Sequence, residues 1–360
     1  MKANTTVSIK ELVRQVCEKI ENGGNTMDLK VGVIGTGAIG IEHIRRINEK
    51  VQGAYVTAVS DINVTQAQSL ADQIDAVFFE TGEELIASAN VDIVVVTSWD
   101  PTHEKYVLEA IKHKKYVFCE KPLATDSAGC KRIVDAEIAA GKKLVQVGFM
   151  RRYDRGYIEL KQAIETKKFG EPLMLHCAHR NPTADENYHT PMAIINTGIH
   201  EIDALRWLLQ EDYVSAQMIM PKQTSFTHEK LHDPQMLILE TTSGIHIDLE
   251  IFVNCQFGYD IKCEVVCETG EIGLEDPAYT HVKSKGKNYT KIALDWQTRF
   301  IEAYDYEFEL WIRSIQSGEL TGPTAWDGYV AAVTMDACGQ ARDTGERALI
   351  QLPDCPSLYK

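Results

Sequence analysis

The stretch VFCEKPLA (residues 117–124) sets Lys121 between Glu120 and Pro122, at the end of an apolar run that reads as a buried strand. Proline removes a backbone donor and restricts the residue before it, so the chain direction at the lysine is constrained. An ammonium fixed there either faces a ligand or is an ordinary solvated strand-end lysine. A second candidate is His200 in TGIHEID (residues 197–203). Imidazole titrates near neutral pH and can accept and return a proton, although a helix-face histidine packed by its neighbours is the plainer alternative.

GVIGTGAIG supplies Gly35, Gly37 and Gly40 in GxGxxG spacing, after an apolar strand pattern and before the helical stretch AIGIEHIRRINEK. The first glycine permits a tight turn, the second lets backbone approach a pyrophosphate, and the third lets helix pack on strand. The helix start at Ala38 and Ile39 then offers unpaired N–H groups to phosphate oxygens. Asp61 closes the next strand pattern, 26 positions after Gly35, where a carboxylate can accept from both adenine-ribose hydroxyls. Ile62, Asn63 and Val64 follow it, so a 2′-phosphate would meet repulsion without a cationic partner, and NAD is expected over NADP.

These residues require a scaffold. Short Val/Ile-rich runs at 29–35, 54–61, 76–80, 91–98, 115–120 and 143–150 alternate with amphipathic stretches such as HEKYVLEAIKHK. That pattern predicts an α/β fold beginning with a Rossmann-type doubly wound parallel sheet over residues 27–150. Ligands of such sheets lie across the carboxyl ends of the strands. Ser98, Trp99, Glu120 and Lys121 are therefore expected against the cofactor's nicotinamide half, with His103 a cofactor contact or a helix cap. From Arg151 the texture changes to longer, alternating strands such as GIHIDLEIFVN. Residues 151–360 are expected to form an α+β domain with a large, mostly antiparallel, open-faced sheet. The last helix, over 325–345, is an element able to return to the first domain. SIKELVRQVCEKIENGG, with Ser8 and Glu11 at capping-box spacing and glycines at its end, predicts an amphipathic helix within an N-terminal extension of residues 1–26.

Composition narrows the partners. The 360 residues are 44% hydrophobic and 25% charged, a globular composition, and the formal net charge of −15 argues against nucleic acid or an anionic membrane surface. No apolar run reaches the roughly 18 residues of a membrane-spanning helix. Nine scattered cysteines contain no CxxC pair, which fits a reducing cytoplasm, and no metal site is expected. His176 and His179, three apart on a predicted strand, face opposite sides and make a poor ligand pair.

Taken together, GVIGTGAIG, VFCEKPLA, QVGFMRRYD, HCAHRNP, HEID and GPTAWDGY resemble the Gfo/Idh/MocA oxidoreductases from about Leu29 to the C-terminus. The resemblance implies an NAD-dependent enzyme that oxidises a ring hydroxyl of a cyclic polyol, myo-inositol in the branch with FMRRYD and HCAHRNP. Other inositols or a pyranose are the alternatives, and an NAD-using glycoside hydrolase or a non-catalytic NAD sensor are more distant ones. By the resemblance Lys121 hydrogen-bonds the oxygen of the carbon being oxidised, with the following proline bond typically cis, and His200 is the general acid/base. Arg151, His179, Asn181, Asp203 and Tyr259 match substrate positions, and a homotetramer is implied. The family often carries aspartate four residues before the histidine; here it is Asn196, an amide that exchanges hydrogen bonds but holds no charge. Asn196 is expected to bind a hydroxyl while His200 relays the proton.

Overall fold

The computed structural model describes residues 28–275 and 280–360. The helix expected within residues 1–26 lies outside them. The chain forms two compact units. The first holds the described residues through Gly148, together with Tyr304–Tyr329 and Asp354–Lys360; the second holds Phe149–Ala303 and Val330–Pro353.

The first unit is built on six parallel strands: β1 (Leu29–Ile34), β2 (Ala54–Ser60), β3 (Val77–Phe78), β4 (Ile93–Val96), β5 (Tyr116–Glu120) and β6 (Val145–Gly148). Their order, β3-β2-β1-β4-β5-β6, is that of a doubly wound dinucleotide-binding sheet. The crossovers run through α1 (Ala38–Glu49), α2 (Val64–Ile74), α3 (Gly82–Ala87), α4 (His103–Lys112) and α5 (Ser127–Ala140). β1, β4 and β5 are buried along almost their whole length because helices cover both faces, which is why they read as continuous apolar runs. β3 is shorter than the sequence pattern at 76–80: only two residues pair, and Val77 is exposed. A shared core gathers Val31, Val33, Ile44 and Phe118 with Phe308, Trp311, Ile312 and Ile315. The last four lie on α8 (Trp296–Ser317), after α6 (Arg155–Glu165) and α7 (Ile199–Leu209) in the chain. That apolar stripe is the physical reason Tyr304–Tyr329 belongs with the first unit.

The second unit carries a seven-stranded sheet in the order β12-β11-β7-β10-β9-β8-β15. The strands are β7 (Pro172–Arg180), β8 (Tyr213–Ile219), β9 (Gln235–Thr241), β10 (His246–Phe252), β11 (Asp260–Cys267), β12 (Glu271–Gly273) and, past a hairpin of β13 (His281–Ser284) and β14 (Lys287–Thr290), β15 (Ala348–Leu349). Only the β7–β10 pair is parallel. Burial alternates residue by residue in β9 and β10, the mark of a sheet with one covered face. The uncovered face carries ion pairs across neighbouring strands: His176 with Asp248, and Arg180 with Glu250 and Asp260. The remaining long helix, α9, spans Ala325–Thr344.

Candidate active site

The glycine loop joins β1 to α1. Gly35 has a φ of 102°, and a Cβ there would sit 2.5 Å from the Thr97 carbonyl oxygen, so no other residue fits. A Cβ on Gly40 would meet the Gly35 oxygen at 2.1 Å, which is the helix-on-strand approach expected of the third glycine. Gly37 differs, since among the described residues nothing beyond its chain neighbours lies within 4 Å of its would-be Cβ. Space has been kept there that the protein does not fill. Gly37 is also the N-cap of α1 and makes no side-chain cap hydrogen bond, and the first N–H groups of a helix have no intrahelical partner. An open cradle over an uncapped helix start fits a dinucleotide pyrophosphate.

Asp61 lies at the end of β2 beside this loop. Its Oδ2 accepts from the Thr36 N–H at 2.5 Å and the Thr36 hydroxyl at 3.1 Å, and its Oδ1 accepts from the Asn63 N–H at 2.8 Å. The carboxylate thus braces the glycine loop while remaining partly exposed. A carboxylate has about four acceptor directions, so capacity remains for a ribose hydroxyl. Thr36, which the glycine spacing alone does not single out, is completely buried and adds Gln66 Nε2, 2.6 Å from its carbonyl, to the same brace.

At the carboxyl ends of β4 and β5, His103 and Glu120 both have partners within the protein. His103 is buried, with its ring nitrogens 2.7 Å from the Pro122 oxygen and 2.9 Å from the Ser98 oxygen. Carbonyls only accept, so a neutral ring donates to one of these two oxygens, and His103 sits between the two strand ends. Glu120 turns back toward α1: Oε1 is 2.8 Å from His43 Nε2, and Oε2 accepts from the Lys121 N–H at 3.2 Å. It thereby supports the lysine's chain segment. Burial works against a charge on Glu120, but the hydrogen bond from His43 and the nearby Lys121 ammonium hold its carboxyl below the ordinary range. The Lys121–Pro122 peptide is cis. Ser98 shares a 2.6 Å hydrogen bond with Thr102, and Trp99 is 75% exposed, a large apolar surface at the sheet's ligand edge.

In the second unit the candidate residues fall on β7, α7 and the turns around them. Residues Ala193–Gly198, with Asn196 among them, wind as a π-helix that continues into α7 at Ile199. Such wide turns recur at functional sites because they displace a side chain from the regular helical track. A Cβ on Gly198 would lie 2.9 Å from Ile251 of β10, so the glycine lets this turn settle on the sheet. His200 follows within one turn, its ring centroid 6.1 Å from that of His179.

His179 belongs to a buried ionic group that the sequence pattern does not reveal. Arg151 pairs through Nη1 with Glu201, and His179 Nδ1 lies 3.0 Å from both Arg151 Nη2 and Glu201 Oε2. Tyr157 and Phe300 flank the guanidinium. Burial opposes a charge on Glu201, and Arg151 and His179 overcome it, leaving the carboxyl below its usual value. Arg151, at 1% exposed, holds His179 and Glu201 in place. Tyr259 stands edge-on to His179 at 5.6 Å, and its hydroxyl pKa is pushed up to about 12, chiefly by burial. Asp203 is held by a bidentate pair with Arg152 at 2.9 and 2.5 Å. Asn181 closes β7 through backbone bonds to Phe252 and Cys255. The one cue to Glu201 is its place beside His200 in the helical run GIHEIDALRWLL, most of which is apolar.

A doubly wound sheet with a glycine cradle, followed by an α/β unit with an open-faced sheet, defines a nucleotide-dependent oxidoreductase of two units. The sequence matches the family described as "Oxidoreductase family, NAD-binding Rossmann fold" over residues 29–149, and "Oxidoreductase family, C-terminal alpha/beta domain" over residues 161–350. The chain belongs to the Gfo/Idh/MocA oxidoreductase family. It is 53% identical over 336 residues to an inositol 2-dehydrogenase of Klebsiella pneumoniae, covering 93% of this chain and all of that one. A second inositol 2-dehydrogenase, from Pseudomonas fluorescens, is 54% identical over 335 residues, 92% of this chain and all of the relative. Among solved structures, myo-inositol dehydrogenase from Lactobacillus casei, in complex with NAD(H) and myo-inositol, is similar with a TM-score of 0.90 and 40% identity. That match covers 93% of this chain and all of the other. A scyllo-inositol dehydrogenase from the same organism shares the fold at 20% identity and a TM-score of 0.84, over 90% of this chain and 99% of the other.

Proposed function

We infer that this protein is an NAD-dependent inositol 2-dehydrogenase, oxidising a ring hydroxyl of myo-inositol to the ketone. The observation that carries this reading is identity of 53% and 54% over 93% and 92% of the chain with enzymes of that name, on a chain that carries both Lys121 and His200. Bound NAD supplies the hydride acceptor. Gly37 and the uncapped start of α1 receive its pyrophosphate, and Asp61 receives its adenine ribose. Lys121 donates to the substrate's carbinol oxygen and stabilises the negative charge that grows there as the carbon is oxidised. His200 accepts the hydroxyl proton and returns it in the reverse direction. His179, Asn181, Asp203 and Tyr259 supply directional hydrogen bonds to the remaining hydroxyls, and a polyol lacking one of them is rejected because a polar group is left unpaired. Asn196 binds a neighbouring hydroxyl and leaves the proton to His200. An Asn196→Asp variant with unaltered isomer preference and pH–rate profile would remove that role.

The test is absorbance of NADH on adding single inositol isomers and hexoses with NAD or NADP. Myo-inositol with NAD should give the highest kcat/KM; a pyranose leading the panel would move the substrate, and no net NADH from any polyol would end the dehydrogenase reading. Asp61→Ala should raise the KM for NAD by about tenfold, the value of one charge-assisted hydrogen bond pair to the ribose, and narrow the preference for NAD over NADP. Unchanged NAD use would limit Asp61 to bracing Thr36.

Two further assignments complete the reading. We propose a cytoplasmic location, from nine scattered cysteines without a CxxC pair; among the described residues no helix is long and apolar enough to cross a membrane. We also propose a homotetramer that uses the open face of the second sheet. Light scattering should return the mass of four chains, and a monomer at micromolar concentration would refute it.

A further inference from the structure

A buried polar chain runs through the first unit and ends at the lysine's own peptide. Asp305 of α8 accepts from Arg46 Nε at 2.7 Å. Arg46 Nη1 lies 2.7 Å from His43 Nδ1, and His43 Nε2 lies 2.8 Å from Glu120 Oε1. Arginine has no acceptor, so Nδ1 must accept, and the ring's proton sits on Nε2 and is donated to Glu120. The tautomer follows from the partners.

The surroundings keep that ring neutral. His43 is completely buried, with Phe118, Tyr304 and Phe308 rings at 5.8, 5.7 and 4.4 Å. The charged groups facing it are Glu120 from β5, Arg46 and Glu42 from its own helix, and Asp305 through Arg46. Burial, the largest influence, lowers its pKa, with Glu120 opposing. A neutral donor suits the position: it offers Glu120 one hydrogen bond without adding a second cation beside Arg46.

Resting on the reading of Lys121 as the group that meets the carbinol oxygen, we propose that His43 is a positioning residue for the oxidation. It locks the Glu120 carboxylate, and through it the Lys121 peptide, to the helix that carries the glycine loop. His43 lies three residues after Gly40 on the buried face of α1, and Glu120 immediately precedes the lysine. One imidazole therefore fixes the distance between the phosphate-binding helix start and the strand end bearing the ammonium. The alternative, a histidine that merely fills core volume, predicts that any well-packed ring would serve.

The experiment compares His43→Phe with His43→Gln in the full-length enzyme. Glutamine can accept from Arg46 and donate to Glu120; phenylalanine fills the space and does neither. His43→Phe should lose about 10²-fold in kcat, the scale of an ångström-size misplacement, with KM for myo-inositol little changed. His43→Gln should recover most of the loss. Wild-type kcat in His43→Phe, or equal loss in both variants, overturns the proposal. Should phenylalanine prevent folding, nitrogen-15 spectra of the wild-type enzyme decide. A proton on Nε2 that persists from pH 5 to 9 supports the proposal, and an Nδ1 proton or a titrating ring refutes it. Lys121→Ala separates the two levels: if that variant still turns over, the reading of the lysine fails whatever His43 does.

Discussion

Replacing Lys121 with alanine should lower kcat for myo-inositol oxidation by about 10²–10³-fold, the usual effect of deleting one donor aimed at developing oxyanion charge. NAD binding should survive, because the groups assigned to the dinucleotide are the glycine cradle and Asp61, which owe nothing to the lysine side chain. The expected pattern is kcat and kcat/KM falling together, since the ammonium's interaction is strongest where charge is greatest, in the transition state. Lys121→Arg should not rescue: the guanidinium is planar and larger, and spreads its charge over a fork suited to carboxylates. The measurement is steady-state turnover beside NAD affinity by fluorescence quenching. Turnover within a few-fold of wild type in Lys121→Ala would mean that the segment VFCEKPLA is conformational only. Loss of NAD affinity in proportion to kcat would instead make the lysine a cofactor ligand.

What the sequence makes legible here are features whose cause is local. Gly35 and Gly40 stand out because Gly35 takes a positive φ in the turn and Gly40 must tolerate the Gly35 carbonyl at 2.1 Å from its would-be Cβ, both inside one strand–turn–helix. The parallel sheet is legible because helices on both faces impose unbroken apolar runs, and the second sheet because one covered face imposes alternation. Side-chain partners are another matter. His43 and Glu120 are 77 positions apart, and Arg46 and Asp305 are 259 apart; no spacing rule connects them. The same holds for Arg151 and Glu201, 50 apart and paired in the buried interior of the second unit. Glu120 and His103 were placed by position on the sheet, and position alone does not say which way a side chain points. The π-wound turn at Ala193–Gly198 is also hard to read from a 3.6-residue period, since six residues are too few to display a period of their own.

His200 carries the other large effect. Glutamine at this position keeps hydrogen-bonding capacity and approximate size but cannot accept a proton near neutral pH, so His200→Gln should cost about 10²–10⁴-fold in kcat/KM. The sign of the pH dependence follows from the role. A base must be neutral to take the hydroxyl proton, so wild-type kcat/KM for oxidation should fall as pH drops through the imidazole's pKa. Reduction of the ketone needs the protonated ring and should fall as pH rises through it. His200→Gln should flatten both limbs, not merely lower them. The buried group beside it sharpens the comparison, because Arg151, His179 and Glu201 are locked to one another. A Glu201→Gln variant disturbs that support while leaving the His200 imidazole in place, so it should lose rate yet keep both limbs. If His200→Gln retains the acid limb of oxidation, the proton goes elsewhere. His179, whose ring centroid is 6.1 Å from that of His200, is then the first residue to test.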